Sequence, residues 1–281
     1  MLFRSVYVSE NTANRMTIKK RMKSWSLVLV AGLLGLVPAC HDPTITVDSS
    51  DTSAAQTVKQ SLPEGTSVEV IDRWQVEDFD KDIVQFATVF WEAEDSVSLR
   101  KLIRETNLVR DKRVLEIGTG TGLISLCCLQ AGARTVVATD INPQAVANAR
   151  FNWFQLEIPQ TTENFDVRLV AADNSGAFAV IASQEQFDVI ISNPPWEDGE
   201  VQTVADYAFI DTKFELLESI LAGLDQHLTA NGEAYLAYGC VTAIREIYRR
   251  AERHGLQVEK LDERDLDDLE DLFLPGKIGR A

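Results

Sequence analysis

The sequence predicts an α/β fold, a mostly parallel sheet with helices on both faces, on three observations. Arg113 to Leu123 reads as a buried strand, a glycine turn and the start of a helix. A second strand, Thr135 to Thr139, ends in Asp140 about twenty residues after the turn. Apolar strand-like runs then keep alternating with helix-like segments as far as Leu261, the pattern of successive βα units.

Val114, Leu115 and Ile117 form the apolar run of a parallel strand. Gly118, Gly120 and Gly122 follow at every second position, where the absence of a Cβ lets the backbone turn sharply and approach a ligand. The helix starting near Leu123 aims its first amides at whatever occupies the turn, and the position of Asp140 suits a carboxylate that binds ribose hydroxyls. A nicotinamide-type fingerprint requires G-x-G-x-x-G/A; counted from Gly118, its sixth position is Leu123, so the pattern fails. An acidic residue two positions before G-x-G-x-G, Glu116 here, resembles motif I of the class I S-adenosylmethionine (SAM) methyltransferases instead. The resemblance implies a Rossmann-like seven-stranded methyltransferase sheet, strand order 3-2-1-4-5-7-6, from about residue 68 to the end. It also implies SAM as cofactor, with Glu116 near its methionine end, Gly118, Thr119, Gly120 and Gly122 passing beneath it, and Asp140 with Ile141 at the ribose.

Formal net charge is −16 over 281 residues. Residues 1–40 carry Arg4, Arg15, Lys19, Lys20, Arg21 and Lys23 against Glu10 alone, so by subtraction the remainder stands at about −21. A body that acidic repels phosphate backbones, and no basic run follows residue 40. Arg245, Arg249, Arg250 and Arg253 share one predicted helix with interspersed glutamates, which reads as a solvated face. Residues 15–40 resemble a targeting segment: a basic stretch, then Trp25 to Val37, apolar but short for a membrane span. Cleavage would fall after Ala39. Val37-Pro-Ala-Cys40 is also similar to a lipoprotein box, with Cys40 lipidated and the domain tethered to a membrane. The alternative is translated upstream DNA before the true start, which would leave the protein in the cytoplasm, where SAM is made. Residues 41–67 are polar and read as a linker. Cys127, Cys128 and Cys240 have no metal-site or disulfide-framework spacing, and Met1 to Asn14 shows no pattern.

Order is expected from Val68 to Ile71, a short strand. Thr88 to Ser96 leads into a helix carrying Leu99, Leu102 and Ile103, with Asp95 or Ser96 as cap. This stretch resembles the segment before motif I in HemK-type methyltransferases, where an acidic residue and a Ser/Thr open the helix over the SAM pocket. Asn142 and Pro143 start the next helix, which runs to about Phe154. Val167 to Ala171 is the third strand. Asp173 follows it, either as a helix cap or, by the resemblance, as the acceptor of the adenine amino group. A short helix is expected over about 175–183.

Phe187 to Trp196 carries the second motif. Val189 to Ile191 is a buried strand, and Asn193-Pro194-Pro195-Trp196 lies at its C-terminal end, the ligand-binding edge of an open α/β sheet. Two prolines stiffen the loop and leave carbonyls free to accept, and Trp196 offers a flat face for a planar group. Asn-Pro-Pro-aromatic resembles motif IV of methyltransferases acting on planar amino nitrogens, the glutamine side chain in HemK/PrmC-type enzymes and adenine N6 in others. It implies that Asn193 and Pro194 act on the acceptor nitrogen, with Asn193 also beside the cofactor. Further on, a mobile acidic loop at 197–200, a long amphipathic helix from Asp206 to Leu228, a turn at Asn231-Gly232, a strand Glu233–Tyr238, a helix Val241–His254 and a strand Leu256–Leu261 are expected. An acidic segment to Asp271 and a seventh strand at 272–274 complete the pattern.

Residues 1–40, 41–67 and 68–281 are thus expected as targeting segment, linker and methyltransferase domain. The HemK/PrmC-like resemblance, to the "methyltransferase small domain" group, covers about Val89 to Tyr238. The helical substrate domain of the bacterial release-factor enzymes has no counterpart, since residues 41–88 are too short and polar. A protein side-chain amide is the leading acceptor. An adenine-N6 RNA or DNA methyltransferase, disfavoured by charge, and an exported, non-catalytic binding module are the alternatives; Asn193 weighs against the last.

Overall fold

The computed structural model describes residues 2–6, 68–92, 96–158, 164–174 and 176–261. The targeting-like segment, the linker, Asp95 and everything after Leu261 lie outside these residues. Seven strands form the main sheet: β1 Leu2–Val6, β4 Arg113–Ile117, β5 Thr135–Asp140, β6 Phe165–Leu169, β7 Phe187–Ser192, β8 Leu228–Ala237 and β9 Gln257–Lys260. Their spatial order is β6-β5-β4-β7-β8-β1-β9. β4 pairs in parallel with β5 and β7, β5 with β6, and β7 with β8, whereas β1 runs antiparallel to both its neighbours.

The place between β8 and β9 was expected to go to a strand at 272–274. Leu2–Val6 fills it instead, so the boundary expected at residue 68 does not bound the sheet. A five-residue segment with Arg4-Ser5 at its centre shows no legible periodicity by itself. It becomes a strand because two edges flank it, Leu2 opposite Ala237 and Val6 opposite Gln257.

Alternation along the parallel strands builds a core on each face of the sheet. Val114, Val136, Val189 and Ile191 pack with α1 (Val97–Glu105), α2 (Leu123–Gln130) and α3 (Pro143–Gln155). Leu115, Ile117, Ile190 and Leu236 pack with α4 (Glu215–His227) and α5 (Val241–Arg253). On α5, Arg249 and Arg250 pair with Glu246, while Arg250, Arg253 and His254 reach Glu218 of α4. Among the described residues no helix is long and apolar enough to cross a membrane.

Several expectations need correction. The short strand expected at residue 68 is β2, Val70–Trp74, and it forms a separate hairpin with β3, Ile83–Phe86. Two asparagines of α3 hold β3: Asn148 Oδ1 accepts the Phe86 amide at 2.8 Å, and Asn152 Oδ1 accepts the Val84 amide at 2.9 Å. The helix expected near 175–183 is a turn. Asn231-Gly232 lies inside β8, where the register against β7 shifts. The long helix expected from Asp206 is two 3-10 turns, Val204–Ala208 and Thr212–Phe214, followed by α4. Lys213 and Phe214 break it with φ of 53° and 56°. The Asp211 carboxylate then starts α4 afresh by accepting the Leu216 and Leu217 amides at 2.8 and 3.0 Å.

Candidate active site

A cavity of about 480 Å³ opens at the C-terminal ends of β4, β5 and β7, a size typical of small-molecule sites. Its floor is the glycine turn. Gly118, Gly120 and Gly122 have φ of +77°, +54° and +88°, a region costly for residues with a Cβ. A Cβ on Gly118 would meet nothing within 4 Å, so only the dihedral demands glycine there. At Gly122 packing adds to it, since a Cβ would come within 2.9 Å of Ala149 on α3. The third glycine therefore serves a close helix–helix contact.

Asp140 fastens the turn. Its Oδ2 accepts the Gly120 amide at 2.9 Å and its Oδ1 the Asn142 amide at 2.8 Å. Burial pushes its carboxyl up, opposed by these amides. Each oxygen keeps a lone pair that can accept a hydroxyl. Glu116 lies beneath, 1% exposed, with Oε2 accepting from Thr119 Oγ1 at 2.7 Å and from Ser125 Oγ. Burial raises its carboxyl to about 8, and the charges of Glu92 and Asp140 add to the effect.

The opposite wall comes from the exit of the β2–β3 hairpin, which Asn142 anchors by donating Nδ2–H to the Thr88 carbonyl at 2.8 Å. Thr88 is held at φ 67°, strained for a β-branched residue at a cavity edge. This segment brings Phe90 and Glu92 into the wall. Phe90 meets Phe209 edge-on at 5.1 Å, joining the hairpin exit to the loop that follows β7. Burial raises the Glu92 carboxyl to about 7.

At the end of β7, Ser192 Oγ donates to the Ile117 carbonyl at 2.7 Å. The next residue, Asn193, lines the cavity with Pro194 and Pro195. Its Oδ1 is buried and has no hydrogen-bond partner among the described residues. The loop beyond is tied down: Glu197 accepts the Asp211 amide at 2.8 Å and donates its own to Phe209 at 3.0 Å. Asp198 Oδ1 accepts the Lys213 amide at 2.6 Å.

Of the residues expected in the site, Glu116, Gly118, Gly120, Asp140, Ile141, Asn193 and Pro194 line the cavity together. Thr119 is turned inward to Glu116, and Gly122 underlies α2. Asp173 is exposed on the 3-10 turn Ala172–Asn174, while Val170, Gly176 and Ala177 form the wall nearby. Trp196 also lies outside the wall; its ring packs on Gly239, where a Cβ would come within 2.5 Å of it. Glu92, Tyr207, Asp211 and Glu215 line the cavity without having been singled out. Glu92 alone had a signal, its place just before the α1 cap.

The lining carries five carboxyl groups, Glu92, Glu116, Asp140, Asp211 and Glu215, and among the described residues no Lys, Arg or His. Such an acceptor-rich, acidic lining fits a ligand with positive charge, as SAM has in its sulfonium and ammonium. One buried oxygen of Glu92 and one of Glu116 have no hydrogen-bond partner among the described residues and could accept from such a group.

Comparison with known proteins agrees with this geometry. The family model "Methyltransferase small domain" matches residues 80–239, more than half of the chain. A Methanocaldococcus jannaschii protein named as a protein N5-glutamine methyltransferase is 32% identical over 177 residues, 61% of this chain and 82% of the relative. The release factor glutamine methyltransferase of Salmonella typhimurium is 31% identical, over 51% of this chain and 53% of its own length. The tRNA1(Val) (adenine(37)-N6)-methyltransferase of Cytophaga hutchinsonii is 26% identical, over 53% of this chain and 60% of its own. The chain thus spans little more than half of two of these relatives. With the glycine turn, the clamping aspartate and Asn193 converging on one cavity, and a family match across all of them, the chain belongs to the methyltransferase small domain family of SAM-dependent methyltransferases.

Proposed function

We propose that the acceptor is the side-chain amide nitrogen of a protein glutamine. The observation that carries this reading is the buried, unpartnered Oδ1 of Asn193 in the cavity wall beside Pro194. A planar NH2 group offers two N–H donors, and the Asn193 oxygen with the Pro194 carbonyl would take both. SAM supplies an electrophilic methyl group on a positively charged sulfur.

An amide nitrogen is a weak nucleophile because its lone pair is delocalised into the carbonyl. Two fixed acceptors hold the NH2 group in line with the methyl and favour the pyramidal, partly positive nitrogen of the transition state. The prolines and the Ser192–Ile117 bond keep them in place without reorganisation. No base need act before attack, and the proton leaves afterwards. The carboxylate-lined cavity, like the net charge, weighs against a phosphate-bearing acceptor. The names of the M. jannaschii and S. typhimurium relatives support a glutamine amide, and that of the C. hutchinsonii relative an adenine amino group.

The test is to incubate the full chain with radiolabelled SAM and cell extract, then digest the labelled material completely. Methylglutamine in the protein fraction is expected. Label recovered as N6-methyladenine would overturn the proposal.

A further inference from the structure

Two carboxyl groups of the cavity share an unusual state. Glu92 is 5% exposed and Glu116 1%. In each, one oxygen is held by the glycine turn or the start of α2. Glu92 Oε1 accepts from Thr121 Oγ1 at 2.7 Å and from the Leu123 amide at 3.3 Å; Glu116 Oε2 accepts from Thr119 and Ser125. In each, the other oxygen is buried with no hydrogen-bond partner among the described residues, Oε2 of Glu92 and Oε1 of Glu116. Glu92 Oε2 lies over Gly120, 3.3 Å from where a Cβ would be.

We propose that Glu92 is a second docking carboxylate for the cofactor: with Glu116 it receives the ammonium of the methionine moiety, and the pair gives up a proton as it does so. An ammonium carries three N–H donors and no acceptor, so it can serve both orphaned oxygens at once. Two buried carboxylates whose charges act on one another are costly without a counter-ion, and the pair relieves that cost by holding a proton. Among the described residues the groups around it supply no unpaired cation. Asp140 faces it from β5, Cys127 and Cys128 from α2, and Asp211 and Glu215 line the far wall. Arg100 and Arg104 on α1, which act on Cys127, are both paired with Asp78, and Arg104 also with Glu77. Burial raises both glutamates into the neutral range, so the proton is present near neutral pH. An incoming ammonium replaces that proton with a fixed positive charge, and cofactor capture strengthens as pH rises.

This inference rests on the SAM site alone and stands whether or not the acceptor is an amide, because the test contains no acceptor. SAM is titrated into the full chain by calorimetry near pH 7, in buffers of different ionisation heat, which reports the protons exchanged on binding. Methylthioadenosine, which keeps the nucleoside and lacks the amino-acid portion, is the control ligand. Wild type should release close to one proton per SAM bound and none with methylthioadenosine. Glu92→Gln, which keeps an acceptor for Thr121, should weaken SAM on the order of tenfold to a hundredfold, the scale of one charge-assisted hydrogen bond. It should also reduce the proton release and leave methylthioadenosine affinity within about twofold. No proton release by wild type would overturn the proposal whether or not the variant folds, as would a variant that loses both ligands equally.

Discussion

Ser192 donates its hydroxyl to the carbonyl of Ile117 at 2.7 Å, linking the last residues of two neighbouring parallel strands. That bond joins the two motifs of the site. Ile117 leads directly into the glycine turn and Ser192 directly into Asn193, so the bond ties the start of the turn to the start of the Asn193 loop.

Asn193→Ala should therefore separate chemistry from binding. Its side chain accepts from the substrate nitrogen in our reading, while the floor that holds SAM remains. Turnover should fall by a factor on the order of 10²–10³, the scale for one preorganised transition-state hydrogen bond. Calorimetric SAM affinity should change little. A variant that loses SAM binding with turnover would show Asn193 to be a cofactor ligand first.

Asp140→Ala removes the acceptor of two backbone amides and the carboxylate expected at the ribose. SAM affinity should drop roughly tenfold to a hundredfold, for one lost charge-assisted bond of about 1.5–3 kcal/mol. The freed Gly120 and Asn142 amides should also lower the thermal midpoint of the ligand-free protein. Unchanged affinity in calorimetry would remove Asp140 from the site.

Stability without cofactor should fall as pH rises from 4.5 toward about 8. The sign follows from proton counts: Glu92 and Glu116 have folded values raised to about 7 and about 8 against 4.5 ordinarily, so across this window the native state holds more protons than the unfolded chain. Each such group contributes a slope of up to about 1.4 kcal/mol per pH unit. Urea titrations across the window should show the loss in wild type and a flatter profile in Glu92→Gln/Glu116→Gln. Equal profiles would mean that neither carboxyl titrates abnormally.

Trp196 makes its contact with Gly239, so Trp196→Ala should act on stability more than on acceptor KM. For a partly buried tryptophan a loss of about 2 kcal/mol is expected. Gly239→Ala should lower the thermal midpoint as well, because its methyl would fall within 2.5 Å of the indole. A raised acceptor KM with unchanged unfolding would restore the flat-face role to Trp196.

The N-terminal strand bears on localisation. β1 precedes the apolar stretch 25–37, so a cut after Ala39 would separate it from the sheet. Deleting residues 1–6 should lower the thermal midpoint by several degrees, since β1 pairs with both β8 and β9. A mature chain beginning at Cys40, seen by intact mass, would support the lipoprotein reading; a retained Leu2 would overturn it.

What the sequence determined by itself is local. Val114, Leu115 and Ile117 mark a buried strand by their run, and three glycines mark a turn whose dihedrals other residues resist. Asn142-Pro143 starts a helix with its own cap, Asn142 Oδ1 accepting the Gln144 amide at 2.9 Å. Asn193-Pro-Pro follows a buried strand, and that position in the chain already places it at the cavity edge. Each signal is carried by residues close together in the chain, where periodicity, dihedral preference and missing donors act directly.

Tertiary structure decided everything that depends on a distant partner. Glu92 lines the cavity because Asn142, Asn148 and Asn152 grip the hairpin that delivers it, and among the described residues no cation lines the cavity with it. Leu2–Val6 becomes a strand because two edges lie on either side of it. The apolar spacing from Phe209 to Leu224 continues across a break that only the Asp211 carboxylate and the dihedrals of Lys213 and Phe214 reveal. Trp196 turns to Gly239 because the space above a glycine accepts an indole. Burial and pairing depend on what packs from elsewhere in the chain, and composition along one segment does not encode its neighbours.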